Sequence, residues 1–174
     1  MPGMAHPLVD QLRFTRGEWL RALDGVPEAD GAVRLQPMNS ISWIVFHLAW
    51  HEQISFLTRL QGITPVPAAN EHGANGQPAS TPTLADALRA WHAVTAAADP
   101  ALDRLDTAAL EVWLPNTRQP RTRLVGSTVQ RVTYHYWFHT GEIAAIRQVL
   151  RHAGVPEFVG DIDGLAPWRG EGRA

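Results

Sequence analysis

The chain contains no cysteine. That excludes a cysteine nucleophile, a thiolate-ligated zinc and any disulfide framework. Lysine is absent too, so the basic side chains are arginine and histidine, and Schiff-base chemistry through a lysine is excluded. No apolar run approaches the ~20 residues that a membrane-spanning helix needs. Residues 1–12 lack the basic start and apolar stretch of a secretory signal, so the expected location is cytoplasmic. Long basic runs are missing and the formal net charge is -2, so no nucleic-acid partner is expected. What is present is ordinary for a globular protein: 174 residues, 45% of them hydrophobic, are enough for one domain with a sizeable core. The single domain is expected to cover residues 1–174, with a tail over about 157–174. Seven tryptophans is a high count, and tryptophan usually fills core or interface volume.

The apolar residues recur at helical spacing in four stretches. The first runs from Pro7 to about Asp24, with Leu8, Leu12, Thr15, Trp19 and Leu23 on one stripe and Arg13, Arg16, Glu18 and Arg21 elsewhere. Gly25 and Pro27 end it. Asn39 or Ser40 caps the second, which runs to about Gln61 with Gly62 as its stop. That helix is apolar nearly all round. Trp43, Phe46, Trp50 and Leu57 form a girdle on its second side, which predicts a homodimer interface in addition to the core. Residues 62–81 read as a long loop, and His72 within it as a solvated histidine. Pro82, Thr83 and Asp86 signal the start of the third helix, with Pro100 expected to kink or break it near Asp99. His92 beside its stripe reads as a boundary or surface residue. A short turn is expected over Thr107 to Leu114. The fourth helix runs from Ser127 or Thr128 to His152. In the tail, Phe158, Ile162, Leu165 and Trp168 are expected to pack down. Together these predict an all-α, antiparallel four-helix bundle.

The chemistry-bearing residues lie on the second and fourth helices. His135 and His139 stand four apart, which stacks both imidazoles on one face. His47 and His51 repeat that spacing in a helix with few polar positions. Neutral imidazole is a common metal ligand, and a hydrogen-bonded histidine pair in a core is the alternative. No glutamate stands beside His135, the first histidine of its pair, so the HExxH pattern of zinc proteases is absent. Three histidines on facing helices of a bundle suffice for one divalent ion and leave a position open, which is the catalytic type of zinc site. Glu142 lies near His139 on the same face. It suits an orienter, a general base or a further ligand, and equally an ion pair with an arginine. Arg118, Arg121 and Arg123 sit close together in a polar loop, either as a solvated run or as a carboxylate- or phosphate-binding group.

Two blocks carry a family resemblance. One is Asn39-Ser40-Ile41-Ser42-Trp43-Ile44-Val45-Phe46-His47-Leu48-Ala49-Trp50-His51-Glu52. The other is the stretch holding His135, His139, Gly141 and Ile143 and ending in Arg147-Gln148. They resemble the DinB/YfiT-like superfamily of metal-dependent enzymes. The resemblance implies a four-helix bundle whose metal is held by His47 from the second helix and by His135 and His139 from the fourth. It implies zinc, nickel or iron without distinguishing them. Relatives in that superfamily include transferases and isomerases that use low-molecular-weight thiols. His51 is then expected beside the metal, as a residue that binds substrate or relays a proton, with Glu142 as the second candidate catalytic group. Helical periodicity alone slightly favours His51 over His47 as the inward-facing ligand, so the two lines diverge on that point.

The function expected on this basis is a divalent-metal-dependent enzyme, a small-thiol-dependent S-transferase or isomerase. The ion lowers the pKa of a thiol supplied by a small molecule, since the chain has none of its own. A metal-dependent hydrolase is the second enzyme reading. A non-catalytic helical protein braced by its metal is the third.

Overall fold

The computed structural model describes residues 5–78, 80–114, 123–157 and 159–169. Helix α1 spans Pro7–Leu23; His6 Nδ1 accepts the Leu8 amide at its start, where Pro7 needs no N–H of its own. A short α2, Glu28–Gly31, follows. Helix α3, Ile41–Glu52, is capped by Ser40, whose side chain accepts from the Trp43 amide. It passes directly into a π-helical turn, Gln53–Thr58, and then into α4, Arg59–Gln61, which ends at Gly62 with φ +72. Helix α5 covers Pro67–Gly73 and α6 covers Leu84–Leu102. The short α7, Thr107–Leu110, precedes the long α8, Val125–Val149, and α9 is Ile162–Leu165.

The described chain is all-α. An isolated antiparallel bridge joins Trp113 and Leu124, and no strand occurs among the described residues. The four long helices expected from the apolar periodicity are present in order as α1, α3 with its π turn and α4, α6, and α8. Helix α1 packs on α8, α3 packs on α6, and α3 also meets α8. Val9, Leu12, Trp19, Ile41, Ile44, Leu48, Val94, Val132, Ile143 and Ile146 are fully buried between them.

A second buried feature is polar and ties all four long helices together. Arg16 of α1 forks onto the carboxylate of Glu52 at the end of α3, with its Nε at 2.7 Å from Oε1. Its Nη1 donates to Asp99 of α6 at 2.7 Å. Tyr136 of α8 donates to Glu52 Oε1 at 2.6 Å and accepts from Trp91 Nε1 of α6 at 2.5 Å. Burial alone would lower the Arg16 pKa, but the Glu52 carboxylate more than reverses this and holds it above its ordinary value. Burial, then the same carboxylate, pushes the Tyr136 phenol well up. Every charge in this node therefore has a partner inside the protein.

Several sequence expectations are corrected. Arg16 and Glu18, off the apolar stripe, are nevertheless buried, because Glu52 and Asp99 take up Arg16 and the segment at Gly160 covers Glu18. Glu18 is used by Arg21 and by the Gly160 amide. Residues 62–81 are not a structureless loop: they contain α5, and Gln53 holds the approach to it by accepting from the Val66 amide and donating to its carbonyl. His72 within α5 is half-buried against the ring of Phe46. Pro100 does not break α6, because it stands in the last turn, where its missing N–H costs one bond and the Asp103 amide still reaches Asp99. Helix α8 starts at Val125, earlier than Ser127. Phe46 and Leu57 are core residues of this chain, so the outer girdle of α3 reduces to Trp43 and Trp50. In the tail, Ile162, Leu165 and Trp168 do not pack down, and Trp168 is 91% exposed. The tail is instead held by polar contacts, with Gln11 donating to the Ala166 carbonyl at 2.8 Å and Arg169 pairing with Asp10. Phe158, Arg118 and Arg121 lie outside the described residues.

Candidate metal centre

Helices α3 and α8 cross so that their two histidine pairs meet. One ligand atom each from His47, His135 and His139 lies within 4.8 Å of the others. The three atoms are ring Nε2 nitrogens: His135 Nε2 is 3.3 Å from His47 Nε2 and 3.0 Å from His139 Nε2. His47 and His139 are buried and His135 is half-buried. The indoles of Trp43 and Trp50 stack on the His47 ring at centroid distances of 4.7 and 5.4 Å, which fixes its plane.

The other ring nitrogen of each histidine is also engaged. His47 Nδ1 stands 2.7 Å from the Gly73 carbonyl oxygen, which can only accept, so Nδ1 carries the proton. His139 Nδ1 stands 2.8 Å from Glu142 Oε2, and the same logic puts its proton there. Both Nε2 atoms therefore present lone pairs toward His135. A single His135 Nε2–H satisfies at most one of them. A cation at the centre satisfies all three, with His135 Nδ1–H then donating to His51 Nδ1 at 2.8 Å. Carbonyl and carboxylate partners on the far nitrogen are the usual supports of metal-binding histidines. The donor set fits a divalent ion of the zinc, nickel or iron type, for which imidazole is a common ligand.

Electrostatics point the same way. Burial, then the imidazoles of His51, His139 and His47, and last Arg131, push the His135 pKa far below its ordinary value. Burial, followed by His47, Arg131, Arg123 and Arg59, lowers that of His51 to about 3. His47 is lowered by burial against the opposing effect of its bond to Gly73. These three rings are neutral at pH 7, the form in which imidazole binds metal.

The structure thus brings together His47, His135, His139, His51 and Glu142, each of which the sequence singles out. It puts His51 on the far nitrogen of His135, outside the group of converging Nε2 atoms, and Glu142 on His139 with no arginine partner among the described residues. Gly73 was not legible. Its backbone lies against α3 so closely that a Cβ there would run into the Phe46 carbonyl and sit 2.8 Å from the backbone nitrogen of His47. Only glycine allows that approach, and that approach delivers the carbonyl to His47. No local pattern in Asn70-Glu71-His72-Gly73 announces it.

A cavity of about 430 Å³ adjoins the centre, lined by His51, Ser127, Gln130, Arg131, Tyr134 and His135. Fold and site define the class first: an all-α protein with a buried His47, His135 and His139 group able to hold a metal ion. The model of the DinB superfamily matches residues 11–143, which include all five site residues, and the chain belongs to that superfamily. No curated protein matches the chain. No helix among the described residues is long and apolar enough to cross a membrane.

Proposed function

We propose that this protein is a divalent-metal-dependent enzyme that uses a small-molecule thiol, as an S-transferase or isomerase. His47, His135 and His139 hold the ion. One observation carries the reading: three imidazole Nε2 lone pairs converge without a fourth protein ligand among the described residues, beside a cavity that reaches His135 and His51. The bound ion supplies Lewis acidity, which lowers the pKa of a coordinated thiol and makes it a nucleophile at neutral pH. The chain's own residues position and insulate. Trp43 and Trp50 hold His47 in plane and exclude water from one side. Glu142 and the Gly73 carbonyl fix the tautomers of His139 and His47. We assign His51, on the cavity wall, the role of hydrogen-bonding substrate or relaying a proton: with Nδ1 accepting from His135, its Nε2 carries the hydrogen to donate.

The same cavity weighs against an ion that only braces the bundle, since a bracing site has its four positions closed by protein. We also retain a homodimer in this reading, now resting on the half-exposed Trp43 and Trp50. Light scattering at micromolar concentration checks it. The test of the enzymatic reading is to load the protein with Zn²⁺, Ni²⁺ or Fe²⁺ and screen small thiols against epoxides, haloarenes and maleyl compounds. Thiol-dependent turnover that disappears in His135→Ala supports it. Loaded protein that neither binds a thiol at the ion nor turns over leaves the non-catalytic metal-binding protein as the better description.

A further inference from the structure

The cavity beside the histidines is cationic on one side. Arg131 lines it, one helical turn before His135 on the same face of α8. The charges of Arg131, Arg123 and Arg59 all act on His51. They also act on one another: burial, and then Arg131 and Arg59, lower the Arg123 pKa. Arg131 of α8 thus lines the cavity itself, while Arg123, in the segment leading into α8, and Arg59 of α4 do not line it but lie near enough for their charges to reach His51.

None of the three has a carboxylate within ion-pair distance among the described residues. By sequence, the adjoining residues 115–122 contain no acid to supply one. Acids are not scarce in the chain: Arg13, Arg16, Arg21, Arg89 and Arg169 each have one. A guanidinium does not relieve repulsion by losing its proton, because its pKa lies above ~12. Clustered, unpaired arginines beside a cavity are relieved by an anion, and their planar fork matches the two oxygens of a carboxylate or phosphate. Ser127 and Gln130 on the same wall add neutral donors, and Tyr134 adds a ring face. The volume lies within the ~300–1,000 Å³ range of small-molecule pockets.

We propose that Arg131, with Ser127 and Gln130 beside it and the charges of Arg59 and Arg123 nearby, binds an oxyanion group, a carboxylate or a phosphate, carried by the molecule that reaches the histidine centre. The substrate or co-substrate is then an anionic small molecule whose charged end sits at Arg131 and whose reactive end reaches toward His135. The second half of this statement rests on the metal-dependent reading above. The first half does not, and the two are tested apart.

Titration calorimetry on the metal-free full-length chain, where no ion is present to ligate the probe, measures succinate and inorganic phosphate separately. One anion per chain is expected, bound more weakly as salt rises. Arg131→Gln should weaken it at least tenfold, and the triple Arg59→Gln, Arg123→Gln, Arg131→Gln variant should abolish it. Arg131→Lys should retain part of the affinity by keeping the charge without the fork. Tighter succinate or tighter phosphate tells which oxyanion the cluster prefers. Circular dichroism confirms that each variant is folded. If neither probe binds, or if binding is unchanged in the folded triple variant, the proposal is overturned.

The link to the centre is read on Co²⁺-loaded protein from the thiolate-to-cobalt absorption band, comparing mercaptosuccinate with 2-mercaptoethanol. An advantage of at least tenfold for mercaptosuccinate is expected, erased in the triple variant while 2-mercaptoethanol is unaffected. Thiol ligation with no such advantage overturns the link between the anion site and the centre and leaves the thiol chemistry standing. Succinate or phosphate binding at the arginines with no thiol band supports the anion site and sinks the thiol chemistry.

Discussion

Two polar clusters are built on neighbouring residues of the same two helices, and they are finished in opposite ways. Glu52 and Tyr136 belong to the arginine node; His51 and His135, one position earlier in each helix, belong to the histidine centre. One step along a helix turns the side chain by roughly 100°, so on each helix these two neighbouring residues go to different clusters. The node is closed. Glu52 receives Arg16 and Tyr136, Tyr136 receives Trp91, and Arg16 also reaches Asp99. The histidine centre is open. Its outer nitrogens are anchored by Gly73, Glu142 and His51, but its inner ones face each other as acceptors in need of a cation. The difference separates structure from chemistry. A buried polar group with all partners supplied by the chain holds helices in register, whereas one with convergent unsatisfied lone pairs is shaped for something that is not protein.

The sharpest way to break the comparison is to open the closed cluster. Glu52→Ala leaves the Arg16 charge buried without its main partner and should cost about 3–5 kcal/mol in urea unfolding of the metal-free protein. His135→Ala in the same assay should cost far less, because its ring is half-buried and its partners are neutral imidazoles, so no buried charge is stranded. Equal losses would mean that both clusters are structural.

The next effect is on metal. His47→Ala, His135→Ala and His139→Ala should each weaken binding by more than the roughly 10–100-fold typical of losing an outer support. Competition with a chromogenic chelator measures this. Glu142→Gln should fall within that 10–100-fold range, since it leaves the ligand and removes the group that fixes its tautomer. Gly73→Ala should match it, because the added Cβ pushes the carbonyl off His47. His51→Ala should leave metal content nearly intact while altering any activity.

Acid sharpens the comparison further. His47, His51 and His135 have folded-state pKa values lowered below the ordinary 6.5, His51 to about 3. Above pH 6.5 they are neutral in both the folded and unfolded chain and add no pH dependence. As pH falls below 6.5 the unfolded chain takes up protons that the folded one refuses, so stability of the metal-free protein should drop from pH 6.5 toward 3. A flat stability profile over that window would contradict the burial of these rings. Bound metal should weaken over the same window, since protons compete for the ligands.

The fold was legible where apolar spacing and caps agree. The Pro7, Ser40, Thr83 and Gly62 signals mark ends that the structure keeps. The open cluster was legible because its histidines come as two local pairs, each four residues apart, on strongly helical stretches. The closed cluster was not. Arg16 and Glu52 are 36 residues apart, and nothing in either neighbourhood marks a buried charge, since pairing between helices distant in sequence is what allows it. Gly73 was hidden for the same reason: its constraint comes from the backbone of α3, not from its own segment. The choice between His47 and His51 lay beyond periodicity because α3 is apolar nearly all round and its inward direction is poorly defined by a stripe.

The central claim is that the converging Nε2 atoms of His47, His135 and His139 form the site of one divalent ion. Anomalous diffraction from crystals of protein purified without nickel affinity and loaded with zinc, recorded at the zinc edge, tests it most directly. The expected result is one peak per chain, at ~2.0–2.1 Å from those three nitrogens, with His51 still on His135 Nδ1. A peak ligated by His51 in place of His47, or no peak in the cluster at full loading, would contradict it.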